Sequence, residues 1–306
     1  MIEITATVES LQQAEKLVDL NIDYLYFGDA TFGLRLPTHF SVEEMRQLVS
    51  LAHAKGKKVR VAVNAIMHPD KMLLIPDYLQ FLEDLSVDEI VVGDPGVIHV
   101  IRRDGYKISY IYDAATMVTS SRQINFWGKR GAVGAVLARE IPYLELVDLS
   151  NNLDVFGEML VYGATCIHQS KRPLVQNYFN FTQQEKKVDK TSQLFISEPK
   201  AEETHYSVYE DEHGTHIFAT NDVNLMTEVE ELEKIGLTHW KLDGIYTPGD
   251  VYVDIVSYFV EAKELILADK WNKAEAKRLT ELVIAAHPKE RTLDTGFYYF
   301  NPDDIK

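Results

Sequence analysis

Short β-rich runs alternate with amphipathic runs along the first half of the chain. IEITATV reads as a strand ending at Val8, and SLQQAEKLVDL follows with Leu11, Ala14, Leu17 and Leu20 at helical spacing. DYLYFG begins a second strand at Asp23. Ser41 and Glu44 form an S-x-x-E capping box that opens VEEMRQLVSLAHAKG, and Gly56 closes that helix. KKVRVAVN, EIVV, ISYIY, AVGAVLARE and VFGEMLVYG supply strands three to seven. Helical runs separate them: PDYLQFLEDL, the stretch from Gly96 to Arg103, SSRQINFWGKRG and IPYLELVDLSN. The alternation breaks over residues 164–220. There an aromatic segment, QNYFNF, and a polar one, TQQEKKVDKTS, precede YSVYEDEHGTHIFAT, which reads as a β-hairpin turning at Glu212-His213-Gly214. The rhythm resumes with a helix over VNLMTEVEELEKIG and an eighth strand, HWKLDG. Thr247 then serves as N-cap, with Pro248 in the first turn of a long helix. One more helix covers KWNKAEAKRLTELVIAAHP, and the aromatic end TGFYYFNPDDIK is expected to pack down under the body of the protein.

Seven β/α units, an insertion and an eighth unit predict an α/β fold of the (β/α)8 TIM-type barrel class. The expectation is one barrel domain over residues 1–306, with the insertion at 164–220 and its hairpin between strands seven and eight. A doubly wound sheet fits less well. No Gly-rich dinucleotide turn follows the first strand, and Gly131 and Gly134 fall before and within the sixth.

Composition narrows the function more than the fold. Hydrophobic residues make up 46% and charged residues 25%, which excludes a disordered chain, a fibrous repeat and a disulfide scaffold. The single cysteine, Cys166, allows no intrachain disulfide and no cysteine-based iron–sulfur site built from this chain alone. The balance of 31 basic against 47 acidic residues, a net of −16, argues against autonomous non-specific nucleic-acid binding. The start, MIEITATVES, lacks a basic n-region followed by an apolar stretch, and no apolar run reaches membrane length, so the reading is a soluble, cytoplasmic protein with no membrane partner.

A barrel enzyme works at the C-terminal ends of its strands, and that rule selects candidates. They are Arg35 after strand two, Asn64 and His68 after three, Asp94 after four and Asp113 after five. Arg139 and Glu140 end strand six, Glu158 and Tyr162 lie on strand seven, and Asp243 ends strand eight. Carboxylates, arginines and an amide at one mouth suit a small anionic polar molecule or acid/base work. Adjacent strand residues point to opposite faces, so at most one of Arg139 and Glu140 faces inward. Zincin, P-loop and nucleophile-elbow motifs are absent. His213 and His216 straddle the expected hairpin turn and read as exposed residues in preference to a metal site. Cys166 reads as a buried, inert thiol in preference to a nucleophile. SKRPLVQNYFNF joins Lys171 and Arg172 to Tyr178 and Phe179, a combination that stacks and neutralises a nucleotide or, equally, closes an aromatic loop over the barrel.

YLYFGDATFGLRL, FSVEEMRQLVSLAHAKGKKVRVAVNAIMHPD, VLAREIP, EMLVYGATCIHQSKRPLVQNYF, YSVYEDEHGTHIFATNDVNLM and WKLDGIYTPGDVYVDIV together resemble peptidase family U32, the collagenase-like proteins of unassigned catalytic type, over nearly the whole length. The chain departs from the family pattern at telling places. The signature's second cysteine falls on Pro173, and the stretch that carries two more is replaced by FTQQEKKVDKTSQ. A family histidine falls on Tyr162, and a glutamate and arginine fall on Asp243 and Ile245. Family members that hydroxylate RNA or quinone precursors hold an iron–sulfur cluster on those cysteines, so the resemblance implies no cofactor bound by this chain alone. It implies instead a short, cysteine-poor paralogue that works beside a longer, cysteine-bearing family member in forming 5-hydroxyuridine at the tRNA wobble position. Prephenate is implicated there as a small anionic metabolite. On this reading Glu158, Arg139 and Asp243 are catalytic, Arg35, Asn64, Asp113, Tyr162, Arg172 and Tyr178 bind substrate, and no residue binds metal. A collagenase-like peptidase and a non-catalytic binding or scaffold protein stay open beside it.

Overall fold

The computed structural model describes residues 1–115, 118–301 and 303. Eight parallel strands close on themselves: β1 (Glu3–Thr7), β2 (Tyr24–Phe27), β3 (Lys58–Val63), β4 (Glu89–Val92), β5 (Ser109–Asp113), β6 (Ala132–Val136), β7 (Phe156–Ser170) and, after the excursion strands β8 (Leu194–Glu198), β9 (Ala201–Asp211) and β10 (Gly214–Asn224), the last stave β11 (His239–Leu242). The ring is sealed where β11 pairs with both β1 and β7. A short β12 (Thr292–Asp294) adds to β10.

The period-2 pattern of each strand sorts its side chains between two cores. On β3, Val59, Val61 and Val63 pack under the helices, while Arg60 and Ala62 face the barrel axis. On β2, Leu25 and Phe27 face the helices and Tyr26 the axis; on β11, Trp240 and Leu242 face out. The outer core is aliphatic and aromatic, each fully buried Leu or Val stabilising the fold by about 1.5–3 kcal/mol. The Ser41 capping box is complete, with Glu44 accepting from the Ser41 amide at 2.8 Å and Ser41 capping the Glu44 amide.

Three expected elements are displaced. Strand seven runs to Ser170, far past the barrel rim. The helix expected from Val223 starts only at Val229, because Val223 and Asn224 extend β10 along β7. Pro248, not Thr247, is the N-cap of the helix Gly249–Leu267. The aromatic end does pack down, but on the flank near the mouth: Tyr298 is buried against Tyr143, at the start of the helix after β6, and Tyr299 and Phe300 stay exposed.

The excursion is an antiparallel sheet, β7-β10-β9-β8, standing on the barrel mouth. β7 leaves the barrel at Gly163, whose φ of +122° and a carbonyl of Asp243 only 2.3 Å from any added Cβ leave room for glycine alone. The far end of the sheet is tied across the mouth. His213 Nε2 meets the Ala30 carbonyl at 2.7 Å, Lys71 pairs with Glu212 at 3.2 Å, and Lys190 donates to the carbonyls of Leu36 and Pro37.

Candidate functional site

Between the mouth and the excursion sheet lies a narrow, partly open pocket. Five of the residues selected from the sequence line it: Arg35, Asn64, Asp113, Arg139 and Asp243. Tyr26, Lys241, Leu34, Ala115, Val136, Ala164 and Phe218 complete the wall. Asn64 organises one side, accepting from the Leu34 amide at 2.9 Å and donating to Asp113 at 2.9 Å. It thereby fixes the loop that presents Arg35. Arg35 adopts a left-handed φ of +53°, uncommon for a side chain with a Cβ, and reaches Gln169 of β7 at 2.6 Å. Asp243 accepts from the Ile245 amide at 3.0 Å.

The cations here are short of partners. Among the described residues, Arg35, Arg139 and Lys241 make no salt bridge, and the buried Nε of Arg139 has no hydrogen-bond acceptor. Lys241 is 6% exposed and sits 3.8 Å from the ring centre of Tyr26. Burial pulls its ammonium below the ordinary lysine range, against Glu158 and Asp243, which favour the charged form. Burial likewise pushes the Tyr26 phenol up, helped by Asp113, Glu158 and Asp243. A buried donor without an acceptor forfeits about 1–3 kcal/mol, so such a chamber favours an anion that supplies acceptors.

Seven of the selected residues do not line the pocket. Glu158 is 1% exposed on the barrel floor, where it pairs with Arg60 and accepts from Thr5 at 2.9 Å. It is only the third residue of a fifteen-residue strand, so its height, not its direction, removes it from the mouth. Tyr162 is at the right height but bonds Thr247 at 2.9 Å and His287 at 2.8 Å, away from the pocket lining. Arg172 and Tyr178 are exposed on the excursion, outside the lining, although Phe179 beside them is buried. Asp94 caps the helix Pro95–Asp104 and holds the Met67 amide, and His68 and Glu140 are exposed. His213 and His216, expected on the surface, are buried. Among the described residues no three His, Cys, Asp or Glu side chains are placed to hold a metal ion, and no helix is long and apolar enough to cross a membrane.

Lys241 and Phe218 were missed. Lys241 carried a signal, since it lies two residues before Asp243 and so shares its face. Phe218 comes from the excursion and had none.

The profile of peptidase family U32 matches residues 9–306. The chain is 34% identical to tRNA hydroxylation protein P2 of Bacillus subtilis over 97% of both chains. It is 24% identical to tRNA hydroxylation protein P1 of the same organism, over 88% of this chain and 66% of that protein. Among solved structures, a dihydrodipicolinate synthase from Bacillus anthracis superposes with a TM-score of 0.54 at 10% identity, over 93% of this chain and 82% of that one, a likeness of fold alone.

Proposed function

The chain belongs to peptidase family U32, and from that premise we propose that it acts in 5-hydroxylation of the tRNA wobble uridine, beside a longer, cysteine-bearing relative, with its barrel mouth holding a small anionic group. The observation that carries this reading is the set of unpaired cations at a partly open pocket: Arg35, Arg139 and Lys241 line it with no salt-bridge partner among the described residues. A dicarboxylate such as prephenate, or a nucleotide phosphate, supplies the missing acceptors. Asp113, fixed by Asn64, and Asp243 then stand as hydrogen-bond acceptors for the polar remainder of that molecule. The chain's net of −16 suits delivery of tRNA through a partner better than direct binding. Nucleoside mass spectrometry of total tRNA from a strain lacking the gene tests the reading. The expected result is a fall in 5-hydroxyuridine and its derivatives that wild type restores and Arg139→Ala does not. Unchanged levels in the deletion strain, with the longer relative also deleted, would reject it.

A further inference from the structure

We propose that Cys166 is the nucleophile of this mouth, deprotonated by the His216–Asp211 pair of the excursion sheet, and that it adds to C6 of the target uracil. The choice of uracil rests on the tRNA reading above; the activated thiol does not.

Strand register places the three groups in a row. Cys166 on β7 pairs with Phe218 on β10, a residue of the pocket wall. His216 lies two residues from Phe218 on the same strand, hence on the same face. Its partner on β9 is Tyr209, and Asp211 lies two residues further on that same face. The His216 ring is fully buried, with Nε2 2.9 Å from Asp211 Oδ1. A carboxylate only accepts, so Nε2 carries the proton and Nδ1 presents a lone pair. That Nδ1 is sealed from solvent and has no hydrogen-bond partner among the described residues. The titratable group beside it is the Cys166 thiol, whose own hydrogen is turned to the His168 carbonyl at 3.3 Å. A base held by a third group beside a partly exposed thiol is an arrangement that nucleophilic catalysis uses.

The field around the sulfur acts in the same direction. Burial pushes the thiol up, but His216 and the guanidiniums of Arg35 and Arg139 outweigh it, and the net shift is downward. Asp211 and the thiol together hold the imidazole above its ordinary value against its burial. Tyr209 and Tyr246 are the other titratable groups facing the sulfur.

The chemistry balances within these groups. The thiol proton moves to His216 Nδ1. The sulfur lone pair forms the S–C6 bond, the C5–C6 π pair shifts into C4–C5, and the C4 carbonyl π pair moves to O4. The resulting enolate lies beside the unpaired cations of the pocket and makes C5 electron-rich, the carbon that hydroxylation must attack. Protonation at C5 by solvent followed by loss of the original hydrogen and expulsion of the thiolate returns uridine with its C5 hydrogen exchanged.

Cys166 is the only cysteine, so alkylation of the full chain by iodoacetamide reports on it alone. The expected pH profile has its midpoint below the free-thiol value of about 8.5. His216→Gln, and the milder Asp211→Asn, are expected to slow alkylation near neutral pH by about tenfold, one unit of midpoint. A midpoint at or above the free-thiol value, unmoved by either variant, would overturn the proposal. For the C6 step, the full chain and its longer relative are incubated with an anticodon stem-loop carrying 5-fluorouridine at the wobble position. Intact mass spectrometry is expected to show an RNA adduct on this chain that Cys166→Ser abolishes. No adduct, in a system whose deletion strain does lose 5-hydroxyuridine, overturns the C6 step alone. No loss of 5-hydroxyuridine overturns the uracil assignment together with the tRNA reading. Gelatin cleavage that disappears in Cys166→Ser would assign the thiol to peptide bonds and overturn the uracil assignment as well.

Discussion

Two clusters of charge occupy the barrel, one buried on its floor and one half-buried at its mouth, and they are built on opposite terms. On the floor, Arg60 is flanked by two carboxylates, Glu89 at 2.7 Å and Glu158, bonds Thr5 at 2.6 Å, and lies 3.6 Å from the ring centre of Tyr24. At the mouth, Arg35, Arg139 and Lys241 have no ion-pair partner among the described residues. Burial alone therefore does not mark a functional charge, since the floor is the more buried of the two. What separates them is whether the fold itself supplies the counter-charge. The floor's guanidinium is ion-paired within the fold, although its buried Nη2 has no hydrogen-bond partner among the described residues, whereas the mouth's cations have no ion pair at all.

The largest effect should come from breaking the ion-paired cluster. Glu158→Ala leaves the fully buried Arg60 guanidinium with Glu89 as its one remaining ion-pair partner, and removing one partner of a buried pair destabilises by up to about 3–5 kcal/mol. Urea unfolding should show that loss, whereas Arg139→Ala should shift stability by less than about 1 kcal/mol, because no ion pair is broken. Equal losses in the two variants would dissolve the comparison.

The floor also carries an acid liability. His239 stacks on Phe156 at 3.8 Å, and burial, with Arg60 beside it, lowers its pKa to about 4. Between that value and the unfolded value of about 6.5 the unfolded chain binds more protons than the folded one. Stability is thus present above about pH 6.5 and falls as pH drops toward 4, by about 3 kcal/mol for the full shift. His239→Phe should reduce the slope of this segment of the pH–stability curve, to which His287, likewise lowered to about 4 by burial, also contributes, and a curve of unchanged slope would contradict it.

These distinctions were only partly legible in the sequence. Local signals survived folding: the Ser41–Glu44 box, the strands read at β1 to β6, and the loop and strand ends that deliver Arg35, Asn64, Asp113, Arg139 and Asp243. Glu158 was misplaced because a rule about strand ends was applied to a strand that continues to Ser170. Tyr162 failed by direction, turned to Thr247 and His287. The row of Cys166, His216 and Asp211 spans three strands and depends on a register that shifts between Ile217 and Phe218. No spacing along the chain encodes that. Non-local pairing also overrode the helical pattern at Val223 and Asn224.

Occupancy of the mouth offers the next test. If the cations await an anion, prephenate or inorganic phosphate should raise the melting temperature of wild type. Lys241→Met and Arg139→Ala should each weaken that binding by about 10- to 100-fold, the equivalent of one hydrogen bond to a charged group at about 1.5–3 kcal/mol. Isothermal titration calorimetry reads both, and a floor variant that still folds, such as Glu89→Gln, should bind as wild type does.

The smallest effect separates strain from charge at a single position. Arg35 holds a φ of +53°, a conformation that burdens a residue with a Cβ by about 1–2 kcal/mol, and the Asn64 bond to Leu34 next to it keeps the loop there. Arg35→Gly and Arg35→Ala both remove the guanidinium and its bond to Gln169, so anion binding should fall equally in the two. Their stabilities should differ, because glycine relieves the strain that alanine keeps, offset by the glycine's greater unfolded-state freedom of about 0.5–1 kcal/mol. Arg35→Gly should therefore unfold at higher urea than Arg35→Ala by roughly 0.5–1 kcal/mol. Equal midpoints would mean the loop relaxes once the arginine is gone, and that the mouth, like the floor, carries no stored strain.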